Sequence, residues 1–415
     1  MRPLKLAFIV NLYPLYVVGG NELLAREVIE GLRRRGHEVH VLTGRGRDLP
    51  KDGFTHGAID LDLDRKEEVF LGAVPVTPAR FLRWHLYWPP SEHSVRDALD
   101  RVRPELVVVW NLYGASMAPL VGARRSGVPV VAQPADRWLL WGLHDLSPLA
   151  PNPRAWSRAA LAMMRTLVQP MLKQIAMPDR LLTVSEFIRG LHVAAGFPRE
   201  RIRATHLGVP VELFPIARRD PPRGRPWRLL FAGQLWEGKG PQVAIEALRR
   251  LRERPGLPPF VLDVFGSGAP DFLALLRRRV DEARLGDVVT LHGFVPRERL
   301  AQEMATHDVF LFCSTWDEPF SGGLLEALCT GLPTIATRIG GTPEAIRDGD
   351  NGLLVPPGDA TALADALARL MGDEGLLAGL AERAAADVRA RWTFEAYIDR
   401  LEAEYEAVAR GSARA

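Results

Sequence analysis

Short runs of apolar residues recur along the whole chain, and longer segments with helical periodicity separate them. The first run, Leu4–Val10, is followed by a loop with two adjacent glycines, an amphipathic segment from Asn21 to about Arg35, and a second run, Glu38–Thr43. Continuous apolar runs are typical of strands that are buried on both faces of a sheet. This order therefore predicts a βαβ unit at the start of a doubly wound parallel sheet.

The same pattern begins again in the second half, after a segment rich in Pro and Arg at residues 215–227. Further strands are expected near residues 106–110, 128–132, 181–184, 228–232, 260–265, 287–292, 308–313, 333–337 and 352–355. Residues 44–100 are less regular. A chain of 415 residues is long for one core, so we expect two Rossmann-like α/β domains.

Charge is distributed unevenly between the two halves. Residues 1–215 carry 28 Lys and Arg against 21 Asp and Glu, whereas the remainder carries 25 against 29. The basic first half suits an anionic partner such as a membrane surface or an anionic acceptor, although a solvated arginine-rich surface is the simpler interpretation. Nucleic acid is not expected, since the sequence has no basic stripe with interleaved aromatic residues.

Cysteine usage and hydropathy bear on the location of the protein. Cys313 and Cys329 lie in apolar surroundings and do not indicate a disulfide framework. The N-terminus lacks a secretory apolar region, and the longest uncharged stretch, residues 106–123, is interrupted by polar residues, glycine and proline. We therefore expect a cytoplasmic location, with peripheral contact at the inner face of the membrane as an option.

The densest candidate chemistry lies in the segment Trp316–Glu326, where an apolar run passes into a helix. Glu318 precedes the helix, and the adjacent Gly322 and Gly323 leave backbone N–H groups uncovered at its start. Such an end suits phosphate groups or sugar hydroxyls. Glu326 can point along the same cleft. Alternatively, Glu318 only complements the helix dipole and Glu326 is a solvated helix residue.

The two glutamates belong to a longer pattern that continues through Gly331-Leu-Pro333, Gly340-Gly341, Glu344 and Asn351–Gly358. This pattern resembles the retaining glycosyltransferases of family 4, and the resemblance spans nearly the whole chain. It implies a GT-B fold, in which two Rossmann-like domains face each other across a ligand cleft. The implied organisation is an acceptor-side domain over residues 1–214, a linker over 215–227, a nucleotide-sugar-binding domain over 228–392, and a C-terminal helix over 393–415 that crosses back to the first domain.

The resemblance also assigns roles to single residues. In that family the first glutamate contacts the donor sugar and the second contacts the ribose, and we take Lys239 and Glu318 as the catalytic candidates. Lys239 is the only lysine among residues 216–415, which otherwise use 24 arginines, and it would neutralise the leaving diphosphate. The donor-binding candidates are Gly19, Gly20, Gly233, Gln234, Lys239, Val295, Glu318, Phe320, Ser321, Gly322, Gly323, Leu324 and Glu326.

Two positions depart from the family pattern. Gln234 stands where the family usually places an arginine, and Ala135 stands where it often places a histidine before Asp136 and an aromatic residue. His144 follows nine residues after Ala135 and is a candidate substitute. The acceptor-side candidates are Asn21, Asp136, Trp138 and His144. The aromatic stretch Phe81–Trp88 is a possible sugar platform, but core packing is the favoured interpretation.

The resemblance implies a retaining transferase that moves a sugar from a nucleotide diphosphate, with UDP favoured over GDP, to a hydroxyl of a glycan or lipid-linked acceptor. The resemblance implies front-face attack. No cofactor is expected, and no metal either, because no Cys/His ligand cluster is visible. The main alternative is a catalytically weak nucleotide-sugar-binding relative that acts as an assembly partner, which Gln234 and Ala135 favour. An epimerase or a phosphorylase on a similar scaffold also remains open. A dinucleotide oxidoreductase is disfavoured because G-x-G-x-x-G is absent.

Overall fold

A computed structural model of the protein describes residues 2–14, 16–17, 19–65, 78–145 and 162–412. The chain forms two compact units. One unit comprises Met1–Thr205 with Ile398–Ala415, and the other comprises His206–Tyr397.

The first unit contains a sheet with seven described strands. These are β1 (Lys5–Val10), β2 (Glu38–Arg45), β3 (Thr55–Asp62), β4 (Leu106–Asn111), β5 (Val130–Ala132), β6 (Arg180–Thr183) and β7 (Ile202–Ala204). They lie in the order β3-β2-β1-β4-β5-β6-β7, and all pairs are parallel. The described α-helices that lie wholly in this unit are α1 (Gly20–Arg34), α2 (Pro78–Phe81), α3 (Pro89–Val102), α4 (Ala118–Arg125), α5 (Trp138–Leu143), α6 (Gln169–Ala176) and α7 (Glu186–Ala194).

The second unit contains a sheet with six described strands. These are β8 (Trp227–Ala232), β9 (Phe260–Phe265), β10 (Val289–Gly293), β11 (Val309–Phe312), β12 (Thr334–Thr337) and β13 (Leu353–Val355). They lie in the order β10-β9-β8-β11-β12-β13 and are also parallel. The remaining described α-helices are α8 (Pro241–Arg252), α9 (Pro270–Glu282), α10 (Arg297–Thr306), α11 (Gly322–Cys329), α12 (Thr342–Ala345), α13 (Ala360–Gly372), α14 (Glu374–Arg391) and α15 (Phe394–Ser412).

Burial explains why the apolar runs form central strands. Every residue of β4 is buried, as are all residues of β11, because helices cover both faces of each sheet. The predicted fold class, two Rossmann-like parallel-sheet domains, is thus confirmed. The structure adds β3, an edge strand within the stretch that showed no regular pattern. Its sequence, THGAIDLD, contains polar residues and a glycine that mask the signal of a strand.

The chain passes between the two units twice, after Thr205 and after Tyr397. Close to these points, within the second unit, Val209 donates its backbone N–H to Trp392 O at 2.8 Å and accepts from Phe394 N at 2.9 Å. Later residues of α15 belong to the first unit, where Tyr405 donates its hydroxyl to Gln133 Oε1 at 2.6 Å. In the described part of the chain, none of the helices has both the length and the apolar character needed to span a membrane.

Arg219 lies in the segment rich in Pro and Arg and fixes two helices of the second unit. Its guanidinium donates to Met304 O at 2.8 Å and His307 O at 2.7 Å, at the C-terminal end of α10, and to Gly331 O at 3.2 Å, just after α11. Burial lowers the pKa of Arg219 to about 10. A cation at a helix C-terminus satisfies carbonyl groups that have no partner within the helix. Arg219 thereby links the C-terminal ends of α10 and α11. Candidate site residues lie at or near the N-terminal ends of these two helices.

Candidate active site

Lys239 and Glu318, the two predicted catalytic residues, form an ion pair in the second unit. The Lys239 ammonium donates to Glu318 Oε1 at 2.9 Å and Oε2 at 2.7 Å. Lys239 ends a short 3₁₀ turn in the loop between β8 and α8, and Gly240 follows it with φ +73°. A Cβ at Gly240 would lie 2.0 Å from Cys313 O. Glycine therefore allows this loop to pack directly against the end of β11, which brings the lysine to the glutamate.

Glu318 is fixed by further contacts. Only 5% of the residue is exposed, and its Oε2 also accepts from Ser314 Oγ at 3.0 Å and Trp316 Nε1 at 2.9 Å. Its backbone O accepts from Gly341 N at 2.8 Å. A Cβ at Gly340, which has φ +58°, would lie 2.1 Å from the same carbonyl oxygen. The glycine pair of the sequence pattern thus permits the close backbone contact that holds the Glu318 loop.

The start of α11 is open toward a ligand. Ser321 is the N-cap, and its Oγ accepts from Leu324 N at 3.3 Å. A Cβ at Gly322 would meet no atom within 4 Å, and one at Gly323 would meet only Ser321 Oγ at 3.9 Å. The space over these glycines lets an anionic group approach the N–H groups at the helix end.

Glu326 pairs with Arg297, a residue that sequence reasoning missed. Arg297 opens α10 and donates from Nε at 2.7 Å and from Nη2 at 2.6 Å to Glu326 Oε1. Its guanidinium also lies over the Phe214 ring, 5.4 Å from the centroid. Glu326 is only 8% exposed. The signal in the sequence was weak, because one arginine among 24 in this half does not stand out.

The remaining donor-side candidates of the second unit occupy different environments. Gly233 and Gln234 are exposed after β8, and Val295 is partly exposed after β10. A Cβ at Gly266 would lie 1.7 Å from Gly233 O, so the loops after β8 and β9 touch through their backbones. Phe320 is buried, with its ring 5.0 Å from the His206 ring, and Leu324 is also buried. The side chains of Phe320 and Leu324 thus pack in the interior.

The first unit connects most of its predicted residues through hydrogen bonds. Gly19 caps α1 and donates its N–H to Glu22 Oε2 at 2.7 Å, and a Cβ at Gly20 would meet no atom within 4 Å. Asn21 Oδ1 accepts from Trp110 Nε1 at 2.8 Å. Trp110 O in turn accepts from Trp138 Nε1 at 3.1 Å. These hydrogen bonds join the start of α1 to the end of β4 and the start of α5.

Asp136 lies within this group, whereas His144 does not. Asp136 Oδ1 accepts from Trp138 N at 2.7 Å. Burial, with a further contribution from the Glu22 charge, raises the pKa of Asp136 to about 6. His144 follows α5 with its side chain exposed, and among the described residues no hydrogen bond joins it to Asp136. Neither are three or more His, Cys, Asp or Glu residues grouped to hold a metal ion in the described ranges.

The cysteines are buried and free, and burial raises the pKa of Cys313 to about 12 and that of Cys329 to about 11.

The aromatic stretch 81–88 contributes to the core through Phe81, as favoured from the sequence. His85 in the same stretch is also buried, and burial lowers its pKa to about 4.

Two Rossmann-like units, each with a parallel sheet and helices between the strands, are the architecture of the GT-B fold class. Two family models match consecutive parts of the chain: Glycosyltransferase Family 4 over residues 18–213, and Glycosyl transferases group 1 over residues 215–387. Together they leave only short terminal segments unmatched. The chain belongs to the family 4, group 1 glycosyltransferases, as its sequence pattern predicts.

Curated relatives resemble part of the chain. The amylovoran biosynthesis glycosyltransferase AmsK of Erwinia amylovora is 36% identical over 200 residues, which are 47% of this chain and 48% of that protein. The putative colanic acid biosynthesis glycosyltransferase WcaL of Escherichia coli is 34% identical over 195 residues, 46% of this chain and 47% of that protein. The match to these relatives thus spans about half of their length.

Solved structures resemble nearly the whole fold. A glycosyltransferase from Rickettsia africae has a TM-score of 0.72 at 18% identity, covering 98% of this chain and 99% of that chain. Anabaena HepE, in a complex with UDP and glucose, has a TM-score of 0.68 at 20% identity, covering 97% of this chain and 100% of that chain. At these identities the likeness concerns the fold alone.

Proposed function

We propose that the protein transfers a sugar from a nucleotide diphosphate sugar to a hydroxyl of a glycan or lipid-linked acceptor, with retention at the anomeric carbon. The observation that carries this proposal is the Lys239–Glu318 pair beside the open start of α11. An ammonium group, helix-end amides and a buried carboxylate are the groups that a diphosphate and a sugar ring require.

Glu318 is arranged so that it can exchange one partner for a ligand. Among the described residues, Oε2 accepts from Ser314, Trp316 and Lys239, whereas Oε1 accepts from Lys239 alone. If the ammonium turns toward the donor diphosphate, the two neutral donors still hold Oε2. Oε1 then accepts a hydroxyl of the donor sugar. The pair thus opens without leaving the carboxylate unsupported.

In the proposed reaction the bond between the anomeric carbon and the diphosphate oxygen breaks as the acceptor oxygen attacks on the same face. The leaving phosphate takes the proton of the acceptor hydroxyl. Lys239 and the N–H groups around Gly322 stabilise the charge that develops on the diphosphate. Catalysis then depends on positioning and on electrostatic stabilisation.

The donor nucleotide that we favour is UDP, with GDP as the second choice. HepE, which shares this fold, binds UDP and UDP-glucose. The names of AmsK and WcaL place those relatives in amylovoran and colanic acid biosynthesis. We therefore propose a role in polysaccharide biosynthesis, in the cytoplasm or at the inner face of the membrane.

A catalytically weak nucleotide-sugar-binding protein is the second candidate, and Gln234 favours it. An amide in place of the family's arginine brings no charge to the diphosphate, and Lys239 must be shared with Glu318. The two candidates differ in turnover. The proposed transferase cleaves the bond between the sugar and the nucleoside diphosphate, whereas the binding protein leaves the nucleotide sugar intact.

The experiment incubates the purified chain with UDP- and GDP-sugars and with methyl glycosides as acceptors, and follows release of the nucleoside diphosphate, with and without EDTA. We expect release with one donor, unchanged by EDTA. A strict requirement for Mg²⁺ or Mn²⁺ would contradict the metal-independent mechanism. Tight nucleotide binding without release would favour the second candidate.

A further inference from the structure

The loop after β4 in the first unit has a strained backbone that is held by a second unusual segment. Gly114 and the buried Ser116 have φ of 76° and 60°. Ser116 N donates to Trp84 O at 2.7 Å, and Met117 N donates to Leu86 O at 3.0 Å. Both acceptors belong to a π-helical turn, residues 82–86. Strained residues and π-helical turns cluster at functional sites, so this pairing calls for a functional explanation.

The pairing brings a histidine against aromatic rings. His85, in the π-helical turn, has its ring centroid 5.4 Å from that of Tyr113, in the strained loop. The Tyr113 ring meets the Trp141 ring edge to face at 6.4 Å. Trp141 is held by α5, whose carbonyl groups at Trp141 and Gly142 accept from Gln169 Nε2 at 3.0 and 3.3 Å. We call His85, Tyr113 and Trp141 the aromatic wall.

The wall stands at the carboxyl edge of the sheet, where ligands bind in open α/β folds. Tyr113 N donates to Asn111 Oδ1 at 2.9 Å, and Asn11 Nδ2 donates to Tyr113 O at 2.8 Å, at the ends of β4 and β1. Asp136 follows β5 at the same edge. Burial raises the pKa of Tyr113, and the Asp136 charge adds to this effect.

The wall residues differ from the aromatic residues of the core. Phe81 and Trp110 are fully buried, whereas Tyr113 and Trp141 keep part of their surface exposed. His85 is only 7% exposed, yet no hydrogen bond to its ring is found among the described residues. It is neutral at neutral pH, so one ring nitrogen donates and the other accepts. A hydroxyl group can accept a hydrogen bond from the ring N–H or donate one to the other ring nitrogen.

These features together match a carbohydrate ring. The C–H face of a sugar stacks on an aromatic ring, while its hydroxyls need donors and acceptors at the rim. We propose that Tyr113, His85 and Trp141 form the subsite for the terminal sugar of the acceptor, with Asp136 at its edge. The acceptor is then a glycan that is recognised through its last ring. The assignment rests on the proposed transferase function and names its acceptor class.

The test uses the full chain, with Trp141→Leu and Tyr113→Leu as variants that keep an apolar side chain but lose the ring, and Trp141→Phe as a conservative rescue. Phe54→Leu is the matched control, because Phe54 is an exposed aromatic residue of the same unit at the start of β3. The probes are methyl α- and β-glycosides of glucose, galactose and mannose, whose binding is measured by saturation-transfer NMR. UDP affinity is measured in parallel.

We expect at least one glycoside to bind the wild type and the Phe54→Leu control. Trp141→Leu and Tyr113→Leu should each weaken its affinity about tenfold, as loss of a stacked aromatic contact does. Trp141→Phe should recover most of the affinity, and UDP affinity should stay unchanged in all variants. Binding of no glycoside to the wild type, or equal binding by wild type and leucine variants, would overturn the subsite.

The result that would contradict the proposed transferase function differs from the result that would contradict the subsite. If the wild type neither binds nor turns over any nucleotide sugar, then the transferase proposal is wrong whatever the glycosides do. If donor turnover is present but the wall variants leave acceptor KM unchanged, then only the subsite is wrong.

Discussion

The candidate donor side in the second unit and the candidate acceptor side in the first unit are built on different physical principles. The donor side uses two ion pairs, Lys239–Glu318 and Arg297–Glu326, each of which joins a loop or helix start to the segment around α11. The acceptor side uses aromatic rings, a strained loop and the partly buried Asp136, whose pKa is about 6. In the proposed function, the charges of the donor side serve to bind a diphosphate, and the aromatic rings of the acceptor side serve to stack on the apolar face of a sugar ring.

This difference determines how each side should respond to mutation. A buried ion pair has a large effect when one partner is removed, because the other charge is left without compensation. An aromatic surface loses affinity in smaller steps, one ring at a time. The comparison therefore predicts large, charge-dependent effects in the second unit and moderate, ring-dependent effects in the first.

The largest effect is expected for Lys239→Ala. Loss of one group that stabilises developing charge lowers turnover by about 10²–10³. The measurement is the initial rate of nucleoside diphosphate release at saturating donor. Turnover equal to that of the wild type would remove Lys239 from the mechanism.

A second variant separates catalysis from folding in the same experiment. Lys239→Ala leaves the buried Glu318 carboxylate without its cation, so the melting temperature should fall. The double variant Lys239→Ala/Glu318→Gln removes both charges and should regain much of the melting temperature. It should not regain turnover.

Two glycines of the donor side provide a matched pair. Gly340→Ala places a Cβ against the Glu318 backbone at positive φ and should destabilise the fold by about 2–5 kcal/mol. Gly322→Ala has open space around its Cβ and should leave the fold as stable, or slightly more so, since alanine favours helix. Thermal unfolding measures both.

Affinity for the donor nucleotide provides a second measurement on the Gly322→Ala variant. In Gly322→Ala the added methyl covers the helix-end amides, so nucleotide affinity should fall while the melting temperature of the free protein holds. Unchanged affinity in this variant would mean that the start of α11 does not contact the donor.

The last prediction concerns the pH dependence that Asp136 gives to stability. Because its pKa is raised to about 6, the folded protein binds this proton more tightly than the unfolded chain. The free energy of unfolding should therefore fall as the pH rises from about 4 to about 6, by at most about 3 kcal/mol. Asp136→Asn should lose this contribution. Urea unfolding at pH 4, 5, 6 and 7 gives the free energy of unfolding of wild type and variant at each pH. If this free energy changed with pH equally in both proteins, the raised pKa would be contradicted.

The sequence was informative where local chemistry repeats in a recognisable order. Continuous apolar runs predicted most strands, and the spacing of Glu318, Glu326 and the glycine pairs led to the family. Lys239 and Glu318 were each predicted as site residues, but the contact between them links residues 79 positions apart and was not predicted from the sequence.

Other features depend on long-range packing and left no local signal. Edge strand β3 has polar residues and a glycine, and Arg219 lies in a segment whose composition is typical of a linker. Arg297 and Tyr113 become candidates only when the fold places them beside Glu326 and His85. Contacts of this kind are set by tertiary structure, which periodicity does not record.

The central claim of the proposed function is that the second unit binds a nucleotide diphosphate and that Glu326 takes part in this binding. The most direct test is a thermal-shift panel of UDP, GDP, ADP and their sugar conjugates on wild type and Glu326→Ala. The control is Glu382→Ala, an exposed glutamate on α14. One nucleotide at about 100 times its dissociation constant should stabilise the wild type and the control by about 2.7 kcal/mol, and Glu326→Ala by much less. No shift with any nucleotide, or an equal shift in Glu326→Ala, would contradict the account.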